Sequence, residues 1–402
     1  MALSVVIIMA QVMGGLFQLL GQPLVIGEVV GGILLGPSFL GYFAPELQQT
    51  IIPSHTLPFL GVIAQLGVVF YMFVVGLELD LKVLRKSGFS ALAIAHAGIL
   101  FPLILGSYLA LYLFKDLSVP GVPFLHFAFF LGISLSVTAF PVLARILTDK
   151  KLSKTSIGTM SLTAAAIGDV TAWCMLALLV SLAQNTYGNA IRTAGLTVVY
   201  IAGMFFLGGP LMRKLIPWLE KFDRLTQGGI AAFFVALLLS ALATELIGIH
   251  AIFGAFLLGA ITPHDSRVAK ELTDRVEDLV RIVFLPAFFA FTGMRTQIGL
   301  LEGAQDWTLC GVVILIATLG KFGGTFLAAK FNGFSWRDSS ALGILMNTRG
   351  LVELIILNLG LDLKLITPRL FTLLVVMALV TTFATSPLLS LLRLSSSDSK
   401  DR

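Results

Sequence analysis

Thirteen long apolar segments separated by short polar loops constrain this chain more than any other feature. Most have about the 20 residues that an α-helix needs to cross the hydrocarbon core of a bilayer. Only 12% of the residues are charged, whereas soluble domains carry about 25%. The sequence therefore predicts an all-α, multi-pass integral membrane protein and excludes a soluble enzyme, a nucleic-acid binder and a disordered regulator. The segments are Leu3–Leu20, Leu24–Phe43, Phe59–Leu79, Phe89–Phe114, Pro123–Leu147, Ser156–Ala183, Ala194–Met212, Gly229–Leu246, Ile249–Ile261, Ile282–Leu300, Trp307–Ala329, Ser339–Leu361 and Leu370–Leu392.

The distribution of positive charge supports this count. Of the 27 Lys and Arg residues, 20 lie at one predicted face of the membrane, 5 lie at the other, and Lys321 and Arg349 lie within segments. Cytoplasmic loops carry the excess of Lys and Arg, so the N-terminus is predicted outside and the C-terminus in the cytoplasm. Merging the eighth and ninth segments, which nearly touch at Gly248, would destroy this asymmetry. The first segment has no basic residue before it and is predicted to be a true span rather than a signal peptide.

Five charged side chains lie deep within apolar segments, namely Glu28, Asp169, Lys321, Arg349 and Glu353, and Asp169 and Lys321 are considered first. Asp169 is near the middle of the sixth segment, and Lys321 is deep in the eleventh. Charged groups at that depth are costly, so each is a candidate functional residue. Asp169 can take up a proton or a monovalent cation, and it is the candidate counter-charge for Lys321. Purely structural roles, a locked aspartate and a fixed ion pair, remain the alternatives.

The fifth and twelfth segments contain sequences that interrupt a helix. Pro141 removes a backbone donor from the fifth, and a polar cluster ending in Gly350 lies within the twelfth. The two segments are an odd number apart and therefore run in opposite directions. Interrupted helices at matching positions of inverted halves predict a transport site near the middle of the membrane. Arg349 is expected to compensate half-helix C-termini or to pair with Glu353 one turn on.

Three further features are weaker. Glu28, within Gly27–Pro37, is a candidate for the access path of an ion, although close helix packing explains the neighbouring glycines without chemistry. The amphipathic segment Arg267–Val280 predicts a helix on the cytoplasmic surface. Glu78 and Asp80 are expected to form interfacial salt bridges with neighbouring basic residues.

Five motifs together resemble the monovalent cation:proton antiporters. The branch in question holds bacterial sodium/proton and potassium/proton exchangers, plant cation/proton exchangers and the membrane domain of potassium efflux systems. The resemblance covers nearly the whole chain. The motifs are Gly27–Pro37, Phe73–Asp80, Ser136–Arg145, Gly320–Lys321 and Met346–Glu353.

This resemblance implies a thirteen-span fold with inverted repeats and two broken helices that cross beside the ion site. It implies one membrane domain, residues 1–394, with a short polar tail, residues 395–402. The core that carries the ion would comprise residues 88–184 and 307–394, and the dimerisation part would comprise residues 1–80 and 191–300. A homodimer in a bacterial inner membrane is expected.

The resemblance also assigns site residues. Asp169 matches the ion-binding aspartate of the family, and Lys321 matches its intramembrane lysine. Many relatives have a second Asp, an Asn or a Gln directly before that aspartate, where this chain has Gly168, so ion choice and stoichiometry stay open. The crossover residues are Thr138, Ala139, Phe140 and Pro141 in the first break and Asn347, Thr348 and Gly350 in the second.

The expected function is exchange of Na⁺ or K⁺ for protons by alternating access at Asp169, in the service of pH homeostasis. Hydroxyls of Ser136, Thr138 and Thr171 are candidate ligands for the cation, together with backbone carbonyls and water. The alternative on the same scaffold is a cation channel or a gated K⁺ efflux path. A proton-coupled symporter is a further alternative, and an intramembrane protease would need a second deep aspartate. The lipid bilayer and the cation are the expected partners, with no cofactor, enzymatic activity or nucleic acid.

Overall fold

A computed structural model of the chain describes residues 1–78, 88–153, 155–184, 187–220, 226–263 and 265–392. Within these ranges ten helices are long and apolar enough to cross a membrane, or eleven if a helix pair bent by 43° counts as one span. The prediction of an all-helical, multi-pass membrane protein is confirmed. The side chain of Glu78, the residue Asp80 and the tail Ser395–Arg402 lie outside what the structure describes, so the interfacial salt bridges stay a prediction.

The first half of the chain runs from the N-terminal helix pair to the helix that carries Asp169. Helices α1 and α2 pack closely, because a Cβ added to Gly27 would lie 2.2 Å from the carbonyl oxygen of Met13. The helices described before residue 185 are α1 (Ala2–Leu19), α2 (Leu24–Leu35), α3 (Leu40–Phe43), α4 (Pro45–Ile51), α5 (Leu57–Glu78), α6 (Phe89–Leu117), α7 (Phe124–Ser136), α8 (Phe140–Asp149) and α9 (Ser156–Gln184).

The second half contains the helix that carries Lys321 and a second pair of short helices. Two π-helical turns, Met204–Gly208 and Val280–Phe284, each lead directly into an α-helix. The helices described after residue 186 are α10 (Tyr187–Gly203), α11 (Gly209–Leu219), α12 (Gln227–Ile247), α13 (Ala251–Ile261), α14 (Arg267–Leu279), α15 (Leu285–Arg295), α16 (Gly303–Phe331), α17 (Trp336–Met346), α18 (Leu351–Asp362) and α19 (Pro368–Leu391).

The predicted count of thirteen spans is not confirmed, because two predicted spans are not among the described helices long and apolar enough to cross a membrane. The segment Ile249–Ile261 forms α13, of 11 residues, whereas Ile282–Leu300 contains α15, which the π-helical turn Val280–Phe284 joins to α14 in one continuous helix. An 11-residue helix is about 17 Å long, well short of the roughly 30 Å hydrocarbon core. The eighth and ninth segments are separate helices as predicted, because α12 ends at Gly248 in the left-handed conformation that glycine favours (φ +96°).

The chain divides into two compact units. The first comprises Met1–Ser54, Val83–Leu176 and Phe289–Arg402, and the second comprises His55–Lys82 and Ala177–Phe288. All the breaks and buried charges described below belong to the first unit.

Close backbone contacts hold α6 against two neighbours in the first unit, because it packs along both α7 and α16. A Cβ added to Gly106 of α6 would lie 2.9 Å from the Cα of Gly132 of α7. A Cβ added to Gly320 of α16 would lie 2.8 Å from the Cα of Pro102 of α6. Small residues at these positions therefore bring α7 and α16 against the same helix.

In the second unit, α5 and α13 approach through a reciprocal pair of glycines. A Cβ on Gly76 would lie 2.2 Å from the carbonyl oxygen of Phe256, and one on Gly259 would lie 2.3 Å from that of Phe73. The amphipathic segment Arg267–Val280 is helical as predicted, and its apolar side chains are buried against protein except for the exposed Leu279. The buried residues of α14 are Val268, Ala269, Leu272 and Val276.

Candidate functional site at two broken helices

The first break separates α7 from α8. Val137, Thr138 and Ala139 lie between these helices, outside regular structure. Val137 is extended (φ −74°, ψ 142°), as is Ala139 (φ −89°, ψ 96°). Pro141 lies in the first turn of α8, where its missing N–H costs no helical hydrogen bond. The break thus lies directly before the proline from which the sequence analysis inferred it.

The second break separates α17 from α18, whose axes differ by 43°. It comprises Asn347, Thr348, Arg349 and Gly350. Gly350 packs against the start of α8, because a Cβ at this position would lie 2.7 Å from Cγ2 of Val142. The second break therefore approaches the first so closely that position 350 has no room for a side chain.

Hydrogen bonds join the two breaks directly. The hydroxyl of Thr138 donates to the carbonyl of Met346 at 2.8 Å, and the backbone N–H of Ala139 donates to the carbonyl of Thr348 at 3.0 Å. Non-helical backbone at membrane depth survives only where its polar groups find partners. Each break supplies some of those partners to the other.

Two cationic side chains cap the C-terminus of α7. Arg349 donates through Nη1 to the carbonyl of Ser134 (3.0 Å) and through Nη2 to that of Leu135 (2.8 Å). Lys321 donates through Nζ to the carbonyl of Ser136. Three consecutive carbonyls at the negative end of this helix therefore accept hydrogen bonds from basic side chains.

Arg349 also forms the second interaction considered from the sequence. Its Nη1 lies 3.1 Å from Oε2 of Glu353, one turn along α18. Both side chains are fully buried. The capping and pairing interactions, which the sequence analysis treated as alternatives, are present together.

Asp169 lies on α9, and its side chain is buried, with 7% exposure. Its carboxylate interacts with the backbone N–H of Phe140, the first residue of α8. Oδ1 of the same carboxylate is buried and has no hydrogen-bond partner. The charge of Lys321 interacts with that of Asp169, although the lysine donates its hydrogen bond to Ser136. The carboxylate thus keeps one oxygen available beside the first break.

Gly168 leaves open space beside Asp169. A Cβ at position 168 would meet only Cδ1 of Ile99, at an ordinary contact distance of 3.9 Å. The neighbouring position therefore contributes no side-chain ligand, although the local packing has room for one.

The hydroxyls considered as ligands all donate to backbone carbonyls. Ser136 donates to Ile99 (2.9 Å) and Gly132 (2.6 Å), and Thr171 donates to Ile167 of its own helix (3.0 Å). Thr171 is two residues from Asp169, and residues at that spacing on a helix do not face each other. A hydroxyl that donates still has lone pairs with which to accept or coordinate.

The second break contributes two unpartnered oxygens. Oδ1 of Asn347 and Oγ1 of Thr348 are buried without hydrogen-bond partners. Glu28 is buried on α2 beside Gly14 of α1, and within the described ranges no hydrogen bond or ion pair connects it to the breaks. The contacts therefore bring together the crossover residues, Lys321, Arg349, Glu353 and Asp169, and they leave out Glu28.

Sequence reasoning missed Thr382 and a polar group around Asn358. The hydroxyl of Thr382, on α19, accepts from the N–H of Arg349 (3.0 Å) and donates to its carbonyl (2.9 Å). Asn358 of α18 donates to the hydroxyl of Thr292 (2.8 Å) and accepts from Arg295 (2.9 Å). A buried Asn in an apolar segment was a usable signal, whereas a threonine in a membrane helix commonly bonds its own helix and gives none.

Comparison with known proteins agrees with this architecture. Residues 4–391 match the family model described as "Sodium/hydrogen exchanger, transmembrane". The chain is 42% identical over 387 residues to the Na⁺/H⁺ antiporter NhaS4 of Synechocystis, covering 96% of this chain and 94% of that protein. It is 40% identical to cation/H⁺ antiporter 20 of Arabidopsis thaliana and 36% identical to K⁺/H⁺ antiporter 1 of Saccharomyces cerevisiae.

The extent of these matches differs. This chain spans 47% of the Arabidopsis protein and 44% of the yeast protein, so it corresponds to slightly less than half of each. The structure of the sodium proton antiporter MjNhaP1 from Methanocaldococcus jannaschii shares the fold, with a TM-score of 0.69 at 15% identity over 97% of this chain and 96% of that one. On the family match and the identity to NhaS4, the chain belongs to the transmembrane sodium/hydrogen exchanger family.

Proposed function

We propose that this protein exchanges a monovalent cation, Na⁺ or K⁺, for protons by alternating access at Asp169. The observation that carries the proposal is the buried carboxylate of Asp169, whose Oδ1 has no hydrogen-bond partner while the carboxylate contacts the first residue of α8. A buried polar atom without a partner is costly. A cation or a proton at this oxygen would remove that cost, and the two cannot occupy it together.

The neighbouring residues support a cation of low charge. The ionised carboxylate, the oxygens of Ser136 and Thr138, backbone carbonyls and water would form an all-oxygen ligand set, the kind that hard cations prefer. Lys321 and Arg349 are both hydrogen-bonded to carbonyls of α7. Their positive charge would keep a bound cation from being held too tightly, so that protonation of Asp169 suffices to release it.

The stoichiometry depends on Lys321. If Asp169 alone exchanges a proton for a cation, one charge replaces another and transport is electroneutral. If a cation at Asp169 also drives a proton from Lys321, a net charge moves, and voltage biases exchange by about 2.3 kcal/mol per charge per 100 mV. Exchange rates measured at imposed membrane potentials distinguish the two versions, since the lysine-coupled version requires voltage dependence.

The thirteen-span topology, with the N-terminus outside, remains part of this proposal. Helix α13 and the continuous helix that ends in α15 would supply the two crossings that are not counted among the long apolar helices. Most of α13 is buried, seven of its 11 residues, which is consistent with a short span covered by protein rather than lipid. Residues 88–184 and 307–394 would move against the remainder within each subunit of a homodimer, since every hydrogen bond between the breaks lies in that part.

The test uses purified protein in proteoliposomes with an imposed pH gradient and a pH-sensitive dye. Addition of Na⁺, K⁺ or Li⁺ to the wild type should collapse the gradient for at least one cation, and Asp169→Asn should abolish that response. Asp116→Asn, which removes an exposed carboxylate at the end of α6, is the matched control and should exchange normally. A gradient that persists with every cation while labelled ions cross would instead identify a channel or efflux path.

A further inference from the structure

Thr382 makes an unusual contact for a threonine in a membrane helix. Its single hydroxyl binds both backbone polar groups of one residue in another element, accepting from the N–H of Arg349 and donating to its carbonyl. Thr382 and Arg349 are 33 residues apart in the chain, and both are buried. The hydroxyl therefore replaces, for Arg349, the helical partners that the break removes.

The backbone of Arg349 has few other ways to be satisfied. It lies between the end of α17 and the start of α18, where no helical hydrogen-bond ladder runs through it. Without the hydroxyl, a buried N–H and a buried carbonyl would both lose a partner, and each such loss is costly. The peptide units around Arg349 would rotate toward new partners, and its side chain would move with them.

Movement of the Arg349 side chain would change the charge at the end of α7. The guanidinium holds the carbonyls of Ser134 and Leu135, which belong to the negative end of that helix. These carbonyls lie three and two residues before the break whose far side contacts Asp169. If they lose their cationic partner, their negative potential acts on the site and favours a bound cation.

We propose that Thr382 is a positioning residue that fixes Arg349 at the second break and thereby sets the affinity of the Asp169 site for its cation. This rests on Asp169 being the exchange site of the proposed function. Thr382 does not need to touch the ion, because it acts on the site through the position of Arg349.

The neighbouring Thr381 provides a matched control. It is buried on the same helix, but its hydroxyl donates to carbonyls of its own helix, Met377 (2.8 Å) and Ala378 (3.2 Å). Valine is nearly isosteric with threonine and lacks the hydroxyl. Thr382→Val and Thr381→Val thus each remove one buried hydroxyl, and only the first releases Arg349. Thr382→Ser keeps the hydroxyl and should behave as the wild type.

Two readouts are measured for each variant: the apparent KM for the cation in the proteoliposome exchange assay, and the cation concentration that gives half-maximal thermal stabilisation in detergent. Thr382→Val should lower both by about fivefold, the size expected for a charge that moves at a helix end. Thr381→Val and Thr382→Ser should leave both within about twofold of the wild type, a difference smaller than 0.5 kcal/mol. A merely structural role would lower the maximal rate with the amount of folded protein and leave KM unchanged.

Unchanged or increased values in Thr382→Val overturn the proposal, as does an equal shift in Thr381→Val. If the valine variant does not fold, Thr382→Cys, with a weaker hydrogen-bonding group of similar size, should shift both readouts in the same direction by less, and no shift overturns the proposal. If the wild type shows no cation-dependent exchange, the proposed function fails. The binding midpoint then still decides the role of Thr382, because it is read without transport.

Discussion

Replacing Gly350 with alanine tests the packing of the two breaks against each other. The added Cβ would lie 2.7 Å from Cγ2 of Val142, about 1 Å inside the best carbon–carbon separation of roughly 3.5–4.0 Å. Val142 is buried on α8, and a β-branched side chain on a helix has one strongly preferred rotamer. The backbone of the break must therefore shift, and we expect Gly350→Ala to destabilise the protein by about 2 kcal/mol, within the range found for overpacked cores.

The assay is reversible unfolding of purified protein in mixed micelles with increasing sodium dodecyl sulfate, followed by tryptophan fluorescence. Val142→Ala removes the methyl group that clashes. The double variant with Gly350→Ala and Val142→Ala should therefore lose about 2 kcal/mol less stability than the sum of the losses in the two single variants. Gly311→Ala, on α16 with nothing within 4 Å of the new methyl group, is the control and should change stability little. If Gly350→Ala resembles this control, or if the effects at positions 350 and 142 are additive, the steric account of the crossover is wrong.

Further predictions concern the hydrogen bonds of the site, measured in the same unfolding assay. Thr138→Val should lower the free energy of unfolding by about 1–3 kcal/mol, because the buried carbonyl of Met346 loses its donor. Thr138→Ser should lower it little. Equal losses of stability in the two variants would contradict the role of the hydroxyl. Arg349→Gln should lower the free energy of unfolding by about 3–5 kcal/mol, because it leaves the buried carboxylate of Glu353 without its cationic partner. Adding Glu353→Gln should recover part of that loss, and strictly additive effects would show that the two side chains are not paired.

Much of the architecture could be predicted because the bilayer imposes simple rules on a sequence. The length of each apolar segment predicts a membrane helix. The two breaks were recognisable from Pro141 and from the polar cluster that ends at Gly350. The limit of this reasoning appears at α13. Hydropathy reports that a residue avoids water, but it does not report whether lipid or protein surrounds it. A short helix largely buried by protein, such as α13, therefore has the same hydropathy as a full span.

The site was only partly predictable, for a different reason. Deep charges such as Asp169, Lys321 and Arg349 were conspicuous because a charge in an apolar segment requires an explanation. The hydrogen-bond partners of those charged side chains were not conspicuous, because most of these partners are backbone carbonyls, which every residue possesses. Thr382 could not be identified from composition, since nothing in the sequence distinguishes a hydroxyl that binds a distant backbone from one that binds its own helix, such as that of Thr381.

The capping of α7 has a consequence for the order in which the protein is made. The carbonyls of Ser134 and Leu135 depend on a guanidinium that lies 215 and 214 residues later in the chain. At about 5–20 residues per second, a ribosome needs roughly 10–40 s to add that stretch. During this interval the end of α7 must find water, lipid headgroups or another protein as a temporary partner. The first half of the molecule therefore enters the membrane before its own charge compensation exists, and only the arrival of the second half completes it.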